Sequence, residues 1–172
     1  MKRRWFLFGT AGLFTVDQFL KSYVEQNLDK NEERKLAGPV VMRRVSNRGM
    51  CCGLLSERRG IVRTLSLTAA GVVTALQAAS LLREKGFWKK KALCLLSAGA
   101  WSNTFDRFTR GYVVDYIGFQ QQDSKLSKLT YNLGDFLIAS GALLLSLQSA
   151  GSSFSSGRKK ERRAPKEIKN EE

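Results

Sequence analysis

The sequence predicts an all-α membrane protein with four transmembrane helices, because its apolar residues fall into four blocks with basic residues clustered near their ends. Residues 64–82 and 136–157 contain no charged side chain. At a rise of about 1.5 Å per residue, a helix over either stretch is long enough to cross a hydrocarbon layer about 30 Å thick. These two blocks predict two membrane-spanning helices.

The other two blocks, residues 5–16 and 92–105, are followed by Asp17 and Asp106 before they reach spanning length. Each block becomes a full span only if its aspartate lies within the membrane. The first block follows basic residues at positions 2–4, as in a signal peptide, but no small-x-small cleavage site comes after it. The later block could also be a buried helix of a soluble domain. We favour four spans because two clear spans accompany these blocks.

Basic residues outnumber acidic ones, with 29 Lys and Arg against 15 Asp and Glu and a net charge of +14. Such a surplus suits nucleic acid or the anionic cytoplasmic face of a membrane. Clusters at positions 2–4, 83–91 and 158–169 predict a multi-pass protein of the cell membrane with both termini and the middle loop cytoplasmic. The loop over residues 25–60 fits this rule less well, since it holds eight Lys and Arg.

The C-terminal end is predicted to differ from the rest of the chain. We expect a four-helix transmembrane domain over residues 1–151 and a basic tail over residues 152–172. The tail mixes charges and lacks apolar periodicity, as a disordered cytoplasmic segment would. Its charge favours contact with membrane lipids, and we do not expect nucleic acid as a partner.

The chain contains no histidine, which excludes His-ligated zinc, Ser-His-Asp triads and Cys-His dyads. The cysteines, Cys51, Cys52 and Cys94, are odd in number and lack metal-ligand spacing, so we expect free thiols. Acid and base chemistry must therefore use carboxylates, Lys, Tyr or Cys, and no metal or cofactor is expected.

Several carboxylates fall inside or beside the predicted spans, where an ionised side chain is costly and so indicates function or pairing. Asp17 lies four residues before Lys21 on the same helix face, and Asp106 is followed by Arg107. We expect both carboxylates to form ion pairs with these neighbours. Asn103 adds a polar side chain near Asp106.

Two further carboxylates, Asp115 and Asp135, lack a basic neighbour of this kind. Asp135 follows Asn132 at the start of the fourth block, and Asp115 interrupts an apolar, strand-like run over residues 111–119. Two such groups brought together share one proton, and one can then activate water while the other polarises a peptide carbonyl, as in aspartyl proteolysis. The alternative is that both residues only cap helix N-termini or turns. Spacing alone indicates a site without fixing a reaction.

Five short motifs occur in the order typical of one family. They are TVDQFLK (15–21), SNRGMCCG (46–53), AGAWSNTFDR (98–107), GYVVDYI (111–117) and YNLGD (131–135). With them the chain resembles the bacterial lipoprotein signal peptidases, or type II signal peptidases, as a divergent member, from about Thr15 to Ser140.

The resemblance implies a catalytic dyad of Asp115 and Asp135. The residues implied to shape the active site around the dyad are Asn103, Asp106, Arg107 and Asn132. The residues implied to bind substrate or to support the structure are Asp17, Lys21, Asn47, Gly49 and Gly53. The family fold adds a small extracytoplasmic β element over the site, and residues 39–45 are its expected strand.

The activity implied by the resemblance is that of an intramembrane aspartyl endopeptidase. It removes the signal peptide of a prolipoprotein just before the diacylglyceryl-modified cysteine, and it needs no metal. The expected partners are lipid-modified prolipoproteins and membrane lipids, and we expect a monomer. Two alternatives stay open: a catalytically silent membrane protein that binds lipidated peptides, and a GxGD-type intramembrane aspartyl protease, which residues 132–135 faintly resemble. An ion-coupled transporter is disfavoured because the polar groups lie toward one side of the membrane instead of its middle.

The chain departs from the family motifs at Leu20, Cys51, Cys52, Ser102 and Gly134. The usual residues at these positions are Thr, Ala, Phe, Gly and Ala, respectively. Because the dyad is intact, these departures predict an altered substrate preference and not a loss of activity.

Overall fold

The computed structural model describes residues 3–30, 32–50, 54–120 and 129–161, with side chains described up to residue 150. Within these ranges the chain forms four helices and four strands. In chain order they are α1 (Arg4–Asn27), β1 (Glu33–Ala37), β2 (Val40–Asn47), α2 (Arg59–Leu82), α3 (Phe87–Thr109), β3 (Val113–Phe119), β4 (Thr130–Tyr131) and α4 (Leu133–Glu161).

Helix α3 lies at the centre of the molecule and contacts α1, α2 and α4. Glycines allow its backbone to approach α4 closely. A Cβ atom at Gly99 would overlap the carbonyl oxygen of Gly134, and one at Gly141 would come within 2.7 Å of the carbonyl oxygen of Ala92. Small residues at such contacts are typical of helix pairs in membranes.

By length and composition, two of the described helices could cross a membrane: α2 and the Leu133–Ala150 part of α4. Both expose large apolar side chains, including Leu65 and Val72 on α2 and Leu143 and Leu147 on α4. Helices α1 and α3, which carry most of the buried ionisable side chains, fall short of this test. Two of the four predicted spans are thus supported, and the other two stay predictions.

The strands form one antiparallel sheet in the order β1-β2-β3-β4. The sheet packs against the C-terminal end of α1, where Val24 and Leu28 are buried together with Val114 and Tyr116 of β3. Because successive side chains of a strand point to opposite faces, Val114 and Tyr116 of β3 face this apolar core and Asp115 faces the other way. This alternation is what aims the Asp115 side chain away from α1.

The structure confirms the strand predicted over residues 39–45 and forms a second strand around Asp115. Strand β2 covers most of the expected stretch 39–45, and the apolar run around Asp115 forms β3. Helix α4 is described as far as Glu161. The division expected at residue 151 and the disordered character of the tail stay predictions. Of the expected free thiols, Cys94 is free and buried, and Cys51 and Cys52 lie outside the described residues.

Candidate active site

Asp115 is held on β3 by an amide on each side of its carboxyl group. Asn47 at the end of β2 donates from Nδ2 to Oδ2 at 3.0 Å, and Asn132 donates from Nδ2 to Oδ1 at 2.6 Å. Only 3% of Asp115 is exposed. Burial, together with the negative charge of Asp135, raises the pKa of Asp115 to about 7, although the two amide donors act in the opposite direction. Asp115 can therefore keep a proton close to neutral pH.

Asp135 lies in the first turn of α4 and forms a reciprocal cap with Asn132. The backbone N–H of Asp135 donates to Asn132 Oδ1 at 2.9 Å, and Asp135 Oδ2 accepts the backbone N–H of Asn132 at 3.2 Å. Asn103 on α3 donates from Nδ2 to the other carboxylate oxygen at 2.9 Å. The helix dipole and these donors all favour the ionised form of a carboxylate at this position.

Asn132 contacts both members of the expected dyad, so β3 and the start of α4 are joined at one residue. Both carboxyl groups line the same cavity, which has a volume of about 1190 Å³. The alternative that both residues only cap helix N-termini or turns does not hold for Asp115, which belongs to a strand. Asp135 does take part in a cap, yet it also faces the cavity.

Lys21 lies at the centre of a buried polar cluster between α1 and α3. Its ammonium group is 2.9 Å from Asp17 Oδ2 and 3.1 Å from Asp106 Oδ2, and all three side chains are fully buried. Lys21 also donates to Asn103 Oδ1 at 2.9 Å. That contact turns the NH₂ end of the Asn103 amide toward Asp135. The cluster therefore positions the dyad without lining the cavity itself.

The ion pair expected between Asp106 and Arg107 is wrong. Asp106 pairs instead with Lys21 and with Arg110, whose Nη1 is 2.5 Å from Asp106 Oδ1. Residues four apart share a helix face, whereas adjacent residues point in different directions. The other oxygen of Asp106 accepts the backbone N–H of Val114 at 3.2 Å, which fixes the strand next to the reactive residue.

Arg107 points away from that pair and connects α3 to the loop after β2. It donates from Nη2 to the carbonyl oxygen of Gly49 at 3.0 Å and from Nη1 to that of Asn103 at 3.1 Å. Gly49 in turn donates its backbone N–H to Asn47 Oδ1 at 3.0 Å. Arg107, Asn47 and Gly49 all line the cavity, as expected for site residues, and Gly53 lies outside the described residues.

Sequence reasoning did not assign two side chains that complete this arrangement, Arg110 and Tyr116. The Tyr116 hydroxyl donates to Asp17 Oδ1 at 3.0 Å and accepts the backbone N–H of Leu133 at 3.1 Å. Burial raises the pKa of Tyr116, so it stays a donor. The contact between Asp106 and Arg110 could have been predicted, because residues four apart on a helix share one face.

The polar cluster also contains a residue that the motif comparison marked only as a departure. Ser102 Oγ donates to Asp17 Oδ2 at 2.6 Å and accepts from Lys21 Nζ at 3.1 Å. Ser102 is fully buried. Its hydroxyl is therefore an integral part of the cluster in this chain.

Comparison with known proteins decides the family. Residues 10–150 match the family model described as signal peptidase (SPase) II. The chain belongs to the signal peptidase II family. It is accordingly classed among the proteases.

Curated relatives match over most of the length of this signal peptidase II family member. The lipoprotein signal peptidase of Shewanella loihica is 32% identical over 139 residues, which is 80% of this chain and 81% of that protein. That of Shewanella sp. strain MR-4 is 34% identical, covering 77% and 78%, and that of Solibacter usitatus is 32% identical, covering 83% and 88%.

Two solved structures share the fold. A bacterial membrane enzyme determined by the in meso method at 2.3 Å resolution aligns with a TM-score of 0.75 at 17% identity, covering 86% of this chain and 88% of that one. A second, at 1.9 Å resolution, aligns with a TM-score of 0.70 at 18% identity, covering 83% and 90%. At such identities the likeness establishes the architecture only.

The chemistry available in the family member's cavity is that of carboxyl and amide groups. Within the described ranges, no three His, Cys, Asp or Glu side chains are grouped so that they could hold a metal ion. The cavity is lined by one carboxyl group with a pKa near neutrality, by a second carboxylate that accepts two hydrogen bonds, and by the half-buried guanidinium group of Arg107.

Proposed function

We propose that the chain is an intramembrane aspartyl endopeptidase that removes signal peptides from prolipoproteins, with Asp115 and Asp135 as its catalytic residues. The observation that carries the proposal is the joint position of the two carboxyl groups on one cavity, bridged by Asn132. The relatives named lipoprotein signal peptidase supply the class of substrate.

In the proposed mechanism, protonated Asp115 donates a hydrogen bond to the carbonyl oxygen of the scissile peptide bond. Ionised Asp135 takes a proton from a water molecule as the water oxygen attacks the carbonyl carbon. During the attack Asp115 transfers its proton to the carbonyl oxygen, which gives a neutral tetrahedral gem-diol intermediate. The intermediate collapses when Asp135 passes the proton it took from water to the leaving nitrogen, while one hydroxyl of the gem-diol returns a proton to Asp115 as the new C=O bond forms. The donors around Asp135 suit the ionised role, and the high pKa of Asp115 suits the protonated one.

We also propose that all four helices span the cell membrane and that both termini are cytoplasmic. Asp17 and Lys21, in the interior of α1, are fully buried and paired with each other. The exposed positions of the same helix include Trp5, Phe8 and Phe19. A helix of this kind can lie in lipid although its average hydropathy is modest. The basic residues at positions 83–91 support a cytoplasmic middle loop.

The proposal is tested with purified protein and a synthetic peptide that contains a diacylglyceryl-modified cysteine. We expect cleavage just before that cysteine, weaker cleavage of the unmodified peptide, and no cleavage by Asp115→Asn or Asp135→Asn. Asparagine keeps the size and polarity of the side chain but cannot exchange the proton. Full activity of either variant would contradict the aspartyl mechanism. Peptide binding without cleavage by the wild type would support the silent-binder alternative.

A further inference from the structure

The loop between α1 and α2 holds more Lys and Arg than is usual for a loop outside the cytoplasm. Three of these residues lie at the candidate active site. Lys30, Arg44 and Arg48 all line the cavity that contains Asp115 and Asp135. We call these three residues the basic rim. They are part of the same stretch, residues 25–60, that departs from the charge bias of the rest of the chain.

Two other basic residues of this loop are paired with nearby acids, whereas the rim residues form no ion pair within the described residues. Arg34 is 2.7 Å from Glu32, and Arg43 is 3.1 Å from Glu33. Within the part of the chain that the structure describes, Lys30 and Arg48 make no ion pair. The carboxylates that line the cavity within those same ranges are Asp115 and Asp135.

Arg44 has spare hydrogen-bonding capacity of its own. It donates from Nη1 to the carbonyl oxygens of Glu25 at 3.0 Å and Leu28 at 3.4 Å, which holds it against the end of α1. Its buried Nε has no hydrogen-bond partner among the described residues. A buried donor left in this state costs free energy unless a ligand satisfies it.

Arg48 lies between two residues that line the cavity, and one of them, Asn47, bonds directly to the dyad. Asn47 donates to Asp115, and Gly49 both donates to Asn47 Oδ1 and accepts from Arg107. An extended peptide advances about 3.3 Å per residue, so the side chain of Arg48 can reach the second to fourth residues from a bond held at the dyad.

We propose that the basic rim is a subsite for an acidic side chain of the substrate, located in the few residues that follow the cleaved bond. This inference rests on the proposed function. The apolar signal segment suits the lipid-facing helices, which leaves the sheet, with Arg44 and Arg48 on β2 and directly after it, for the part of the substrate that enters the aqueous phase. A carboxylate there meets three cations, the exposed Lys30 and Arg48 and the half-buried Arg44, and is bound more tightly than a neutral or basic side chain.

The test compares kcat/KM for three lipidated peptides that differ only in the second residue after the modified cysteine, which is Asp, Ser or Lys. The assay uses full-length protein in neutral detergent micelles at low salt. We expect the wild type to prefer Asp over Ser by about three- to tenfold and to cleave the Lys peptide most slowly. The preference should shrink as salt screens the charges.

Two rim variants and one matched control decide the result. Lys30→Glu/Arg48→Glu should reverse the preference to the Lys peptide, and Arg48→Ala, a milder change, should reduce it. Lys35→Glu alters an exposed lysine on β1 that does not line the cavity and should retain the wild-type preference. Equal wild-type rates on the three peptides, or the same change in Lys35→Glu, would overturn the subsite.

Failure of the proposed function gives a different result, because the Ser peptide would then not be cut at all. A headgroup site is a separate outcome. If rates respond to anionic lipid added to the micelles but not to the acidic residue of the peptide, the rim binds lipid phosphate and the peptide subsite is rejected.

Discussion

Asn132 donates a hydrogen bond of 2.6 Å from its side-chain amide to Oδ1 of Asp115. The same residue caps α4 through its side-chain oxygen and its backbone N–H, both of which bond to Asp135. One residue thus couples a strand and a helix that arrive from different parts of the chain. Its substitution should therefore affect the dyad more than the fold.

We predict that Asn132→Ser lowers kcat/KM by about 10- to 100-fold, since serine can keep the cap but cannot donate to Asp115 across the same distance. Asn132→Ala, which loses the cap as well, should also unfold at a lower temperature. Asn27→Ala is a matched control, because Asn27 is an exposed amide that bonds to the backbone of its own helix. If Asn27→Ala and Asn132→Ser had equal activity, the bridge between the carboxyl groups would have no catalytic role.

The raised pKa of Asp115 predicts how activity depends on pH. The mechanism requires Asp115 to be protonated, and its pKa is about 7, so kcat/KM should fall about tenfold per pH unit well above that value. Asn132→Asp adds a negative charge next to Asp115 and should move this alkaline limb to higher pH. A rate independent of pH between 7 and 9 would contradict the assignment of Asp115 as the proton donor.

The same pKa has a consequence for stability. Asp115 has a folded-state pKa above its ordinary value of 3.8, so the folded chain holds a proton that the unfolded chain releases between about pH 4 and pH 7. Stability contributed by protonated Asp115 is complete below this window and is lost as the pH rises through it, by at most about 4 kcal/mol. The Tm of Asp115→Asn relative to that of the wild type should therefore be higher at pH 8 than at pH 5.

The motifs in the sequence predict several residues that the structure places around one cavity, but they do not predict how these residues are connected. Asp17, Lys21 and Asn103 could be placed on helix faces from their spacing alone. The partner of Asp106 could not be read from adjacency, because helix geometry favours Arg110 over Arg107. The bridging role of Asn132 depends on the packing of β3 against α4, which short-range patterns do not encode.

The proposed orientation predicts which positions are accessible from outside the cell. In a background without cysteine, Lys35→Cys on β1 should react with a membrane-impermeant maleimide in spheroplasts. Lys89→Cys at the start of α3 should react only after the membrane is permeabilised. Both lysines are exposed in the structure, so burial does not explain a difference in labelling. The opposite labelling pattern would invert the topology.

Ser102 and Gly134 both lie next to one carboxylate oxygen, Asp17 Oδ2. Ser102 Oγ donates to Asp17 Oδ2 at 2.6 Å, and a Cβ atom at Gly134 would lie 3.0 Å from that same oxygen. It would also lie 2.9 Å from Asn132 Oδ1. With the serine hydroxyl and Lys21 both holding Asp17, this oxygen has little freedom to move. Gly134→Ala should therefore lower both Tm and kcat/KM.

Ser102→Gly removes the hydroxyl and gives Asp17 room to shift, so the double variant Ser102→Gly/Gly134→Ala should lose less than the sum of the two single losses. We expect a coupling free energy of about 0.5 to 2 kcal/mol from a double-mutant cycle on Tm, with the same sign in kcat/KM. Gly71→Ala in α2, where a Cβ would meet nothing within 4 Å, is the matched control, and its effect should simply add to that of Ser102→Gly. Additive losses in the Ser102 and Gly134 cycle would mean that the two positions act on Asp17 independently, and the departures from the family motifs at these sites would then be unrelated.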